Sequence, residues 1–128
     1  MSIYKTTTNQ DFLYFQKKFN EYAKKLGVGH YIIYFEHTDI PSDSMTPNGA
    51  YACIYKDATN SVATVQFCKI WETVSRPLNK REIEETAKHE AIHLLLAKLS
   101  DLAYRRYVTA LEIFSAEEEL VRKIQKII

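Results

Sequence analysis

The sequence predicts an α+β domain: an N-terminal helix, a three-stranded, mainly antiparallel sheet, and two more helices. Three observations predict it. Apolar residues recur at helical spacing near the N-terminus, three short runs of β-branched and aromatic residues follow, and helical spacing returns from residue 79 onward. Strands gathered in the middle, rather than alternating with helices, give helices packed on one small sheet.

In "NQDFLYFQKKFNEYAKKL" (9–26), Phe12, Phe15, Phe19, Tyr22, Ala23 and Leu26 fall on one helix face, and Gly27 and Gly29 end it. The strand candidates are "HYIIYFEH" (30–37), "AYACIYKD" (50–57) and "SVATVQFCKIW" (61–71). Pro41, Pro47, Asn48 and Gly49 interrupt the chain between the first two, and "DATNS" (57–61) is the hairpin turn expected between the second and third. Pro77 marks the next break. Asn79 then caps "NKREIEETAKHEAIHLLLAKLSDLA" (79–103), with Glu82 at the capping-box position. A last helix covers 110–128.

A chain of 128 residues suits one domain, 1–128, with a single core. Its 46% apolar and 26% charged residues are ordinary for a soluble globular protein. A net charge of +1, with no run of like charges, gives no general attraction to nucleic acid or to an anionic membrane. The first residues do not resemble a signal peptide and no segment approaches transmembrane length, so a cytoplasmic protein is expected. Cys53 and Cys68 stand alone in separate strand candidates and are expected as free, buried thiols.

The helix over 79–103 contains His89-Glu90-Ala91-Ile92-His93, of the form H-E-x-x-H. Residues four apart share a helix face, so two imidazole nitrogens can reach one Zn²⁺ at about 2.0–2.1 Å. Glu90 lies one position round the helix. There a carboxylate can serve as general base toward a metal-bound water without taking a coordination position. The competing reading is a pair of hydrogen-bonded histidines on a core helix. The following "LLLAKL" marks the helix as buried, and buried histidines beside a glutamate cost stability unless paired or bound to metal. That favours zinc.

A catalytic zinc site needs a third protein ligand and leaves the fourth position to water. The pattern H-E-x-x-H-x-x-G-x-x-H fails, because Leu96 stands at its glycine and Leu99 at its last histidine. A carboxylate from the tail remains, with Glu112, Glu117, Glu118, Glu119 and Asp101 as candidates. Ile113, Leu120, Val121, Ile124 and Ile128 mark the apolar stripe of the last helix, and Glu117 lies at its centre. Glu118 falls about 100° away and Glu119 about 200°. Glu112 and Glu118 each close an S/T-x-x-E capping box, on Thr109 and Ser115. Glu117 has no such local role, and a carboxylate facing a core needs a partner. Glu117 is the expected third ligand and Glu118 the next. A buried salt bridge from Glu117 to Arg105 or Arg106 is the competing reading.

With these residues in place, the chain resembles a gluzincin-type zincin metallopeptidase, in particular the very small SprT-like and phage-encoded ones. The resemblance rests on "AKHEAIHLLLAKLSDLAYRRYVT", "SAEEELVRKI" and the upstream "SVATVQFCKIW", and covers most of residues 50–128. It implies a minimal zincin-like fold, zinc on His89, His93 and the tail glutamate, and Glu90 as base. It also implies a peptide or protein substrate laid along the edge of a strand near the active-site helix. No histidine follows His93 and no Cys-rich ribbon is present, which moves the chain toward the glutamate version. Tyr104, Tyr107, Arg105 and Arg106 are candidates for a second electrophile, with ordinary packing as the alternative. His30 and His37 flank the first strand and are assigned no role. Trp71 is expected as a core anchor beneath the active-site helix. Two other functions remain open: a catalytically inactive zinc-binding interaction module, and a metal-free structural or binding protein.

Overall fold

The computed structural model describes residues 2–39, 51–74, 78–104 and 109–127. In chain order the elements are β1 (Ser2–Thr6), α1 (Asn9–Lys25), β2 (Ile32–Thr38), β3 (Ala52–Asp57) and β4 (Val62–Cys68). These are followed by β5 (Ile70–Val74), α2 (Lys80–Leu95), α3 (Ala97–Tyr104) and α4 (Ala110–Ile127). The architecture is α+β, as the sequence predicts, with two small sheets where one was expected.

Helix α1 starts on Thr8, whose hydroxyl accepts from the Asp11 amide (3.1 Å) while the Asp11 carboxylate accepts from the Thr8 amide (2.9 Å). This reciprocal pairing satisfies two amides that the first turn leaves open. Phe15, Phe19 and Ala23 are its buried residues. Gly27 at φ 78° carries the chain out of the helix, a conformation that a Cβ would strain.

The three-stranded sheet has the order β2-β4-β3. The expected hairpin joins β3 and β4, antiparallel from Ala52↔Phe67 to Asp57↔Val62. Its turn is held by the Asp57 carboxylate, which accepts from the Asn60 amide (3.1 Å) and from Asn60 Nδ2 (2.8 Å). Strand β2 instead runs parallel to β4, from Ile32↔Val62 to Thr38↔Cys68. The mainly antiparallel sheet is therefore corrected: β4 lies between β2 and β3. The reason is burial. Ala63, Val65 and Phe67 give β4 a fully buried inward row, so it takes the centre, while β2 alternates between exposed and half-buried and suits an edge. The turn signals at Pro41, Pro47, Asn48 and Gly49 lie outside the described residues, as does Pro77.

The segment 61–71, expected as one strand, is divided between β4 and β5. Strand β5 leaves the first sheet and pairs antiparallel with β1, from Ser2↔Val74 to Thr6↔Ile70. Thr7 secures this junction. Its amide donates to Lys69 O (2.7 Å), and its hydroxyl lies 2.9 Å from Cys68 O and 2.7 Å from His37 Nε2. With its one proton on a carbonyl, that hydroxyl accepts from the imidazole N–H.

The helix expected over 79–103 is interrupted at Leu96, giving α2 and α3. Asn79 caps α2 as predicted, its Oδ1 accepting from the Glu82 amide at 3.0 Å. The core lies between α1, α2 and the inner face of the sheet, where Phe15, Phe19, Val65, Phe67, Trp71, Ile83 and Leu94 are buried. Ala87 and Ala91 belong to the same core and let α1 approach α2 closely. Trp71 stacks on Tyr51 with ring centroids 4.4 Å apart and shares this core with α2, which is the anchoring role expected. Both cysteines are free thiols; Cys68 is buried and Cys53 half-buried. Among the described residues no helix is long and apolar enough to cross a membrane.

Candidate metal centre

Helix α2 is buried on more than one face. Ile83, Ala87, Ala91 and Leu94 meet the core, while Lys88, Glu90 and His93 are also buried. Glu90 and His93 are each 6% exposed, so their polar groups have lost most of their water. Helix α4, which packs on α2 and α3, supplies the groups that compensate.

Helix α4 begins on Thr109. The Thr109 hydroxyl accepts from the Glu112 amide (3.2 Å) and its carbonyl from the Ile113 amide (3.2 Å). Of the two possible capping boxes, this choice leaves Ser115 and Glu118 inside the helix, with Glu118 free of capping duty. Ile113, Glu117 and Val121, one turn apart, form a buried stripe. The stripe argument thus located Glu117 correctly in the interior.

The two adjacent glutamates meet different nitrogens. Glu118 Oε1 lies 2.7 Å from His93 Nε2, and its Oε2 lies 3.4 Å from His89 Nε2. Glu117 Oε1 lies 2.7 Å from His93 Nδ1, the opposite side of the same ring. The other oxygen of Glu117 accepts from the Ser100 hydroxyl (2.7 Å), and Lys56 Nζ reaches its Oε1 at 3.2 Å. His89 has a weaker partner on its own Nδ1, Gln125 Oε1 at 3.4 Å.

Donor atoms of His89, His93 and Glu118 fall within 4.8 Å of one another, and this is the trio that can hold a metal ion among the described residues. This trio includes Glu118, the second candidate, and not Glu117, the first. Both lie against α2, but the 100° step between neighbours on a helix sends one carboxylate to each side of the His93 ring. Ligand atoms around a tetrahedral zinc at about 2.0–2.1 Å stand roughly 3.3 Å apart. The distances from Glu118 to the two Nε2 atoms bracket that spacing. Two imidazoles and a carboxylate are also a donor set that zinc accepts.

The charges fit a compact acid–base cluster. Burial by itself would lower the His93 pKa, but hydrogen bonds to Glu117 and Glu118 outweigh it and raise it to about 9. His89 is raised in the same manner: burial opposes, and Glu118 and Glu90 prevail. Burial would raise Glu118, yet its bonds to His89 and His93 hold it well below the usual carboxylate range. Glu117 is also lowered; burial opposes, and His93, Lys56 and Ser100 outweigh it. Glu90 behaves differently. Burial dominates and raises it to about 7, only partly countered by the two histidines.

Of the residues expected here, His89, Glu90, His93 and Glu118 are brought together. Glu112 serves the cap and Asp101 lies on α3. Arg105, Arg106 and Tyr107 fall outside the described residues, as do the side chains of Tyr104 and Glu119. His37 sits at the Thr7 junction, away from this cluster's contacts. Lys56, Ser100 and Gln125 were missed. Lys56 had a readable signal, since the inward alternation of β3 through Ala52 and Ile54 ends on a lysine. Gln125 had one too, standing two turns beyond Glu118 on the same helix face.

The chain matches no family model, no curated protein and no solved structure.

Proposed function

We propose that this chain is a zinc-dependent metallopeptidase in which His89, His93 and Glu118 hold the ion and Glu90 is the general base. One observation carries the proposal: a carboxylate from α4 converges on both Nε2 atoms of an H-E-x-x-H helix, within 4.8 Å. Zinc bound there would polarise a scissile carbonyl and lower the pKa of a coordinated water to about 7. Glu90, buried on the helix that carries both histidines, is suited to take a proton from that water and to return one to the leaving amine. Its burial excludes bulk water from the transfer.

The substrate suited to this arrangement is an extended peptide. Among the described residues strand β3 ends the order β2-β4-β3 and packs against α2, so a peptide laid along the sheet would lie near the helix that carries Glu90. A cytoplasmic location belongs to the same proposal and agrees with two free cysteines.

The test pairs elemental analysis with peptide hydrolysis. The wild type is expected to carry one zinc per chain, which Glu118→Ala loses and Glu90→Gln keeps, while Glu90→Gln abolishes turnover. Zinc without turnover in the wild type would leave a zinc-binding interaction module. No zinc, even after refolding with the metal, would end the enzyme proposal.

A further inference from the structure

Glu117 is the buried carboxylate that the proposed metal site does not use. Three groups from three elements converge on it: His93 Nδ1 from α2, the Ser100 hydroxyl from α3 and the Lys56 ammonium from β3. Each contact is 2.7–3.2 Å long, and Glu117 and Ser100 are both buried. Held by these three partners, the carboxylate lies on the side of the His93 ring opposite Glu118. What it can do is accept the Nδ1–H proton of His93.

We propose that Glu117 is a positioning residue for the metal site: it fixes His93 with the proton on Nδ1 and leaves the Nε2 lone pair for the ion shared with Glu118. The inference rests on the metal site proposed above. An imidazole has two neutral tautomers, and only the one with a bare Nε2 can ligate there. A charged acceptor on Nδ1 selects that tautomer, orients the ring and makes Nε2 a stronger donor. Ser100 and Lys56 hold Glu117 in turn. Because Lys56 sits on β3, the orientation of His93 is tied to the sheet. Helix α4 therefore contributes a ligand at Glu118 and a ring-orienting group immediately before it.

The experiment measures zinc affinity by chelator competition for wild type, Glu118→Ala, Glu117→Ala and Glu117→Gln, with ¹⁵N NMR of the histidine rings in the zinc-loaded proteins. Circular dichroism establishes that each variant is folded. Absence of zinc from the wild type overturns both proposals; stoichiometric zinc lost in Glu118→Ala supports the site itself. For Glu117→Ala the expected result is one zinc at saturation with about 10–100-fold weaker affinity, the range typical of an outer partner of a ligating histidine. The protected Nδ1–H signal of His93 should also be lost. Glu117→Gln keeps an oxygen that can accept this proton and should restore the signal and part of the affinity. It also keeps the test decisive if Glu117→Ala does not fold. Complete loss of stoichiometric zinc in a folded Glu117→Ala would make it a ligand. Unchanged affinity and an unchanged His93 signal would make it a bystander. Either result overturns the inference.

Discussion

His37 and His93 occupy two differently built neighbourhoods, and their protons respond in opposite directions. His37 stacks on Phe12, with centroids 4.9 Å apart, lies near Phe67 at 5.6 Å, and has the Thr7 hydroxyl as its polar partner. Burial lowers its pKa and Lys69 adds to the lowering, against the weaker pull of Asp11 and Asp39. His93 is more deeply buried than the half-buried His37, but carboxylates on both ring nitrogens raise it to about 9. Burial among aromatic rings makes histidine a neutral packing group. Burial between two carboxylates makes it a cation.

The largest effect expected from breaking this comparison comes on the aromatic side. Phe67 contacts the rings of Phe12, Phe15, His37 and Trp71. Phe67→Ala should cost about 3–5 kcal/mol of stability, measured by urea unfolding. Any zinc bound at the proposed site should survive at low temperature, since among the described residues the ring contacts of Phe67 do not include a proposed donor.

Next in size is the alkaline response of the site side. The raised His93 binds a proton more tightly folded than unfolded, so in chelator-treated protein its stabilisation is complete below pH 6.5. It is lost as pH rises through about 9. Thermal melts from pH 7 to 10 should fall more steeply for wild type than for His93→Gln, and equal slopes would contradict the assignment.

The smallest effect is at acid pH. His37 is lowered below its ordinary 6.5, so its contribution is present above that pH and is lost as pH falls through its folded value. His37→Phe retains the stack on Phe12 and has nothing to protonate. Its stability between pH 7 and 5 should therefore decline less than that of the wild type, read by the same melts.

What could be read from the sequence follows how local each feature is. Helix faces, the Asn79 cap and the β3–β4 turn are written within a few residues and were read correctly. The parallel pairing of β2 with β4 and the pairing of β1 with β5 join segments dozens of residues apart, with no short-range mark. "SIYKT" carries no pattern of large apolar residues to identify it as a strand. The same division runs through the site. His89, Glu90 and His93 form a local motif, and the buried position of Glu117 followed from helical spacing. Which of two adjacent carboxylates faces Nε2 depends on how α4 is rotated against α2. That is set by packing of Ile113 and Val121, not by any local signal.

The pairing of Ser2–Thr6 with Ile70–Val74 has a consequence for how the domain acquires its structure. Joining those segments directly in an unfolded chain closes a long loop, at an entropic penalty that grows with its length. Prior formation of α1 and the β2-β4-β3 sheet shortens that loop, so the two-stranded sheet closes late in folding. Helices form within about a microsecond. Refolding of this small chain is thus paced by its long-range strand pairings. The proposed metal donors lie on helices, and they meet the sheet through the packing of α2 on β3 and through Lys56.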